Sequence, residues 1–262
     1  MRFLISSVRL LGISSSLCLA TALHAWGPTG HRVVAQIAEK HLSPETAKAV
    51  EALIGPATLT DVSNWADWIR SDEQYDYTSS WHYINLPDGA RYATAEKHPG
   101  GDVYGKIVDF IEVLKDNSAS KDDKAEAIRW LVHLTGDLHQ PLHAGHKDDL
   151  GGNRIQCTWF GEPCNLHQIW DSKLIDATHL SFTELAASID RNTEVEIEEG
   201  PEPKPEMWLE ESLEYRATAY QKPEDSTGGT YRYIFDHTAL VEQRLKQAGL
   251  RLALTLDYAL SE

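Results

Sequence analysis

The segment "LVHLTGDLHQPLH", Leu131 to His143, sets the tightest limit on what this chain can fold into. It closes a longer run, "SKDDKAEAIRWLVHLTGDLHQP", whose apolar residues recur at helical spacing. Pro141 ends that helix, because proline lacks an N–H and its ring clashes with the preceding turn. The run reads as the longest central helix, yet it carries His133, Asp137 and His139, with His143 just past the proline. A buried imidazole or carboxylate costs free energy unless it finds a partner. His133 and Asp137 are four apart and share a face. His139 falls about 200° round the helix from Asp137 and is read as structural.

Other segments follow the same period. "TGHRVVAQIAEKHL" aligns Val33, Val34, Ile37, Ala38 and Leu42, and Ser43–Pro44 reads as an N-cap and first-turn proline opening "PETAKAVEALI". "LTDVSNWADWIRSD" predicts a short helix with Val62, Trp65, Ala66 and Ile69 on one face. "DVYGKIVDFIEVLKD", "LHQIWDSKLIDA" and the closing "TALVEQRLKQAGLRLALTLDYAL" are helical too. The glycines and alternation of "GGNRIQCTWFGEPCNL" predict a small hairpin, and residues 194–205 an acidic, solvated loop. Strand signals are otherwise scarce and no repeat is present. The expectation is one mainly α-helical domain over residues 26–262.

Residues 1–25 have the order of an export signal: Arg2 and Arg9, an apolar stretch, then small residues before a cut after Ala25. The expected location is periplasmic or secreted, without membrane insertion once the signal is removed. The chain's formal charge of −16 becomes −18 when the two arginines of that segment leave. Such a protein does not attract nucleic acid by its bulk field, so a polyanionic substrate would need local positive charge, which bound metal ions supply. Cys18 leaves with the signal. Cys157 and Cys164 remain, and an even pair in an exported protein points to a disulfide. The absence of an N-x-Ser/Thr sequon favours a bacterial source.

His167 and Asp171 repeat the four-residue spacing of His133 and Asp137. Asp67 ends "NWAD", with Arg70 one turn later; His82 lies in "SSWHYIN", and His31 lies five residues after Trp26. Each pair alone would pass for a capped or salt-bridged helix surface. Flanked by apolar residues and taken together, they would all be satisfied by metal ions. Nitrogen and oxygen donors without thiolate suit zinc, and leave manganese, iron or nickel open. His41, His98, His146, His179 and His237 lack matched partners and read as surface or packing residues. Gly151 and Gly152 read as a tight turn that Asn153 braces, unless Asn153 braces a ligand instead.

The motifs "WGPTGHRVVAQIA", "NWADWIR", "WHYIN", "LVHLTGDLHQPLH", "GGN" and "NLHQIWD", in this order, resemble the S1/P1 nuclease family of zinc-dependent single-strand nucleases. The resemblance implies a single-domain α-helical bundle of the phospholipase C/P1 nuclease type and three zinc ions. Asp67, His82, His133 and Asp137 would hold the first ion. His143, His167 and Asp171 would hold the second. The third would take the free amine and carbonyl of Trp26, with His31 and a bridging Asp137. An amine is a ligand only as a free, deprotonated terminus, so removal of residues 1–25 would complete the site.

The implied activity is hydrolysis of single-stranded DNA and RNA to 5′-phosphates by metal-activated water, with 3′-nucleotidase activity, in a monomer. Asp67 is placed to orient water and Arg70 to contact phosphate. Tyr83 matches the family's base-stacking aromatic. Asn85 stands where fungal members have an acidic residue; an amide donates as well as accepts, so base preference is open. Two rivals share the metal pattern: a zinc phospholipase C on the same scaffold, and a zinc-binding protein without turnover.

Overall fold

The computed structural model describes residues 26–195, 197 and 200–261. The expected export signal, residues 1–25, lies outside them. Eleven helices order the described residues around one of their number, and a two-stranded hairpin is the only sheet among them.

α1 (Pro28–His41) and α2 (Pro44–Ile54) form the first pair, joined where Ser43 accepts a hydrogen bond from the Thr46 N–H and Pro44 sets the first helical φ. The predicted "LTDVSNWADWIRSD" helix is in fact two single turns, α3 (Leu59–Val62) and α4 (Trp65–Trp68), followed by tighter 3₁₀ turns at Ile69–Ser71 and Glu73–His82. A capping box of Thr58 and Asp61 starts α3. α5 (Val103–Lys115) and α6 (Lys121–His139) pack against each other.

From Trp130 to His139 every residue of α6 is buried, so no face of this helix meets water. It is the central helix expected from its sequence, although the last helix is longer. A 3₁₀ turn over Pro141–Ala144 then turns the chain away. Strands β1 (Gln156–Trp159) and β2 (Glu162–Asn165) pair in antiparallel register.

"LHQIWDSKLIDA" is helical with a wide π turn, Ile169–Lys173, between α7 (Leu166–Gln168) and α8 (Leu174–Asp176). Such bulges concentrate at functional sites. α9 (Phe182–Asn192) and α10 (Pro205–Ala219) were not read from the sequence. α11 (Gly229–Leu260) starts nine residues earlier than its apolar pattern suggested and lies along α1. That approach needs Gly249, where a Cβ would sit 2.6 Å from Ile37. Among the described residues no helix is long and apolar enough to cross a membrane.

The expected cysteine pair is brought together across the hairpin but is not bonded. Cys157 and Cys164 are direct cross-strand partners, yet both are buried free thiols. Burial pushes the Cys157 thiol up to about 12 and raises Cys164 as well.

Candidate metal centre

Three groups of histidine and aspartate, buried except for the half-buried Asp67, converge around α6, each with donor atoms within 4.8 Å of one another: His31, His133 and Asp137; Asp67, His82 and His133; His143, His167 and Asp171. The first two share His133, and Asp137 touches both. Its Oδ1 lies 3.4 Å from His31 Nε2, and its Oδ2 lies 3.0 Å from His82 Nδ1 and 3.5 Å from His133 Nε2. Asp67 Oδ1 stands 3.8 Å from His133 Nε2, with Arg70 Nη1 at 3.6 Å on its other side. In the third group His167 Nε2 and Asp171 Oδ2 are 3.2 Å apart, as their i,i+4 spacing requires.

The backbone aims the imidazoles. Nδ1 of His133 donates to Ser63 O at 2.8 Å, that of His143 to His82 O at 2.5 Å, and that of His167 to Gly151 O at 2.6 Å. A carbonyl only accepts, so Nδ1 carries the proton and the Nε2 lone pair is turned to the cluster, the arrangement that metal-binding histidines use. The His82 and His143 segments also brace each other, since Ile84 N–H donates to His143 O at 2.7 Å. His31 lies flat on His133 with ring centroids 3.8 Å apart. Gly136 permits this: a Cβ there would come within 2.9 Å of the His31 ring.

Trp26, fully buried, sits over Gly30, where a Cβ would be 2.7 Å from its own Cβ, and beside Gly136. Gly27 N–H docks on Asp171 O at 2.7 Å. The start of the described chain is thus clasped between the His31 group and the π turn.

The electrostatics test whether these residues fit a cation. Burial pushes the Asp137 carboxyl well above the usual carboxylate range, and the charges of Asp67 and Asp171 push it further, against Arg70. Burial also raises Asp171, opposed by the hydrogen bond from Gln140 Nε2 at 2.7 Å. The buried Oδ1 atoms of Asp67 and Asp137 accept no hydrogen bond. Carboxylates crowded in a dry site with nitrogen donors and no thiolate fit a divalent cation of the zinc type.

Next to the third group opens an apolar pocket. His82, His143 and His167 border it, and Tyr83, Asn85 and Leu150 form its walls. The metal and substrate candidates from the sequence lie at or beside the groups, and Cys157 and Cys164 on the hairpin; Arg70 reaches Asp67 but does not line this pocket.

Of the remaining histidines, His139 points away from the groups as expected. Fully buried, it is held neutral by burial and by Arg244 and Arg251, with Nδ1 bonded to Thr135 O. His237 is a packing residue, stacked on Tyr233, and His41 pairs with Asp190. Gly151 and Gly152 have φ of +62° and +84°, and Asn153 braces their turn through Leu150 O.

Sequence reasoning missed Gln140, Leu150 and the arginines of the last two helices. Gln140 had a visible signal, being an amide inside the buried segment. Arg244 and Arg251 had one also, because seven residues apart they interrupt the apolar stripe of α11.

Comparison with known proteins bears on this geometry. A family model described as S1/P1 Nuclease matches residues 26–261. Endonuclease 2 of Arabidopsis thaliana is 30% identical over 272 residues, covering 92% of this chain and 92% of that protein. Endonuclease 4 of the same plant is 31% identical over 276 residues, 94% of this chain and 90% of its own length. Nuclease P1 of Penicillium citrinum is 34% identical over 171 residues, 61% of this chain and 63% of the fungal protein.

Proposed function

This chain belongs to the S1/P1 nuclease family and is a hydrolase of phosphodiester bonds in nucleic acids; from that premise we propose that it is a zinc-dependent endonuclease of single-stranded DNA and RNA. What carries the reading is the convergence of three His/Asp groups beside a pocket walled by Tyr83, Asn85 and Leu150.

In this proposal Asp67, His82, His133 and Asp137 hold one ion, His143, His167 and Asp171 a second, and His31, Asp137 and Trp26 a third. Bound zinc supplies Lewis acidity and positive charge for water and phosphoryl oxygen. The protein's own groups do the rest. Asp67 orients the attacking water. Arg70 donates to a phosphate oxygen, where charge grows in the transition state. Tyr83 stacks on a base, and the Asn85 amide reads its edge with both a donor and an acceptor. The water oxygen bonds to phosphorus as the P–O3′ bond breaks, the proton it gives up to solvent is matched by one that solvent returns to the departing 3′-oxygen, and the product keeps a 5′-phosphate. Single strands suit the pocket because their bases are free to enter it, and 3′-nucleotides present the same ester to the same groups.

We also propose that residues 1–25 are an export signal, that the product acts in the periplasm or outside the cell, and that it works as a monomer. Cleavage after Ala25 frees the Trp26 amine to serve as a ligand. Two extra residues before Trp26 then lower both zinc content and turnover; wild-type values in such a protein refute the amine's role.

The direct test is hydrolysis of single-stranded DNA and of phosphatidylcholine by the same preparation, with and without chelator. The nuclease reading expects chelator-sensitive cleavage of DNA alone. Lipid cleavage would establish the phospholipase C alternative, and tightly held zinc without turnover of either would leave a non-catalytic zinc protein.

A further inference from the structure

α10 carries two side chains one turn apart, Arg216 and Tyr220, that have no part in the scheme above. Arg216 is only 5% exposed. Its Nη1 donates to Leu86 O at 2.6 Å and to Ala144 O at 3.0 Å, while Nη2 pairs with Asp88. The Tyr220 hydroxyl accepts from His146 N–H at 2.9 Å and donates to Asp149 Oδ1 at 2.8 Å. That same carboxylate oxygen accepts from Gly152 N–H at 2.7 Å.

These contacts fall where the pocket's walls leave it. Leu86 follows the wall of Tyr83 and Asn85, and Ala144 follows His143. His146, Asp149 and Gly152 flank Leu150, which also lines the pocket. Leu150 has φ +56°, followed by Gly151 at +62° and Gly152 at +84°. A leucine in the left-handed region is disfavoured and persists only where its surroundings fix it. Here Asp149 clasps the turn and Tyr220 clasps Asp149. The loops meet without side chains between them: a Cβ on Gly145 would lie 2.5 Å from Gly151 Cα and 3.1 Å from the Tyr220 hydroxyl.

We propose that Arg216 and Tyr220 are positioning residues that fix the chain segments lining the pocket, and so set how firmly a nucleotide base is gripped. The inference rests on the nuclease reading of the pocket. Neither side chain borders the pocket or joins a His/Asp group, and most of their partners are backbone atoms. They act on pocket shape, which base-bearing substrate feels in ground state and transition state alike. Such a loss appears in KM and leaves kcat intact.

Tyr220→Phe removes the hydroxyl and keeps the ring. It is expected to raise KM for a single-stranded oligothymidylate about tenfold, the effect of roughly one net hydrogen bond. Its kcat and bound zinc stay within about twofold of wild type, as does its rate on an oligonucleotide of abasic residues. Asp149→Ala attacks the same contact from the loop side and reproduces the KM change. Unchanged KM in both variants, beside an active wild type, overturns the inference and spares the nuclease reading. So does a fall in kcat and zinc content at constant KM, which would mean that the contacts serve the metal groups. A wild type that cleaves neither oligonucleotide overturns the nuclease reading, and this inference with it.

Discussion

The two ends of the buried polar stretch of α6 solve one problem in opposite ways. Around His133 and Asp137, carboxylates crowd together: the charges of Asp67 and Asp171 bear on Asp137, and Arg70 opposes them. Around His139 every group is answered within the chain. Its Nε2 meets Arg251 Nη1 at 2.9 Å, and Glu211 pairs with Arg251 at 2.6 Å and with Arg244. Arg244 also donates to His139 O at 3.0 Å and to Ser212, capping the helix end where the dipole is negative. A polar cluster closed on itself holds a fold together. One that leaves a surplus of buried charge of one sign awaits a ligand.

The comparison breaks most directly at Asp137. Asp137→Asn is expected to lower nuclease activity by more than about 100-fold, beyond what loss of an outer-shell contact to a metal ligand costs. Far-ultraviolet dichroism should stay native, and zinc content should fall. A variant with wild-type zinc and activity would remove Asp137 from the centre.

On the other side, Glu211→Gln is expected to cost about 3 kcal/mol in urea unfolding, because it leaves two buried guanidinium groups short of a carboxylate. Zinc content per folded molecule should be unchanged. The same carboxylate carries a pH signature. Burial by itself raises it, but the hydrogen bond from Arg251 and the charges of Arg244 and Arg251 win and hold it below its usual 4.5. A group depressed in the folded state adds stability above its unfolded value and loses it as pH falls through the folded one. Below about pH 4.5 wild type should therefore lose stability faster than Glu211→Gln. Parallel curves would contradict the assignment.

Gly136→Ala separates stability from the site. Alanine favours a helix interior by about 0.5–1 kcal/mol over glycine. Its Cβ would nonetheless enter the space of the His31 ring, 2.9 Å away. The expected variant keeps its melting temperature and loses zinc from the His31 group, measured by metal analysis beside calorimetry. Smaller again is Gln140→Ala, which removes the hydrogen bond to Asp171 and should weaken zinc binding about 10-fold in chelator competition.

How much of this was legible in the sequence depended on which kind of residue filled the buried stripe. α6, α1 and α5 declared themselves because apolar residues carry the period. α10 did not. Its buried positions, Trp208, Leu209, Ser212, Arg216 and Ala219, keep helical spacing, but a serine and an arginine disguise it. α9 was announced by a capping box, Ser181 with Glu184, that passed unread. The His/Asp groups were legible from i,i+4 pairs and the order of motifs. The Arg216 and Tyr220 clasps were not, since they depend on loops brought together from distant parts of the chain. The hairpin that sets the two cysteines opposite each other was legible in its glycines and its alternation.

If metal closes the open end of this buried stretch, loss of its shared carboxylate must release that metal. Metal analysis of dialysed protein beginning at Trp26, wild type beside Asp137→Asn, tests it most directly. One zinc for each of the three His/Asp groups is expected in wild type, and retention of the His143–His167–Asp171 ion alone in the variant. Fewer than two zinc ions in wild type, or equal zinc in the two proteins, would contradict it.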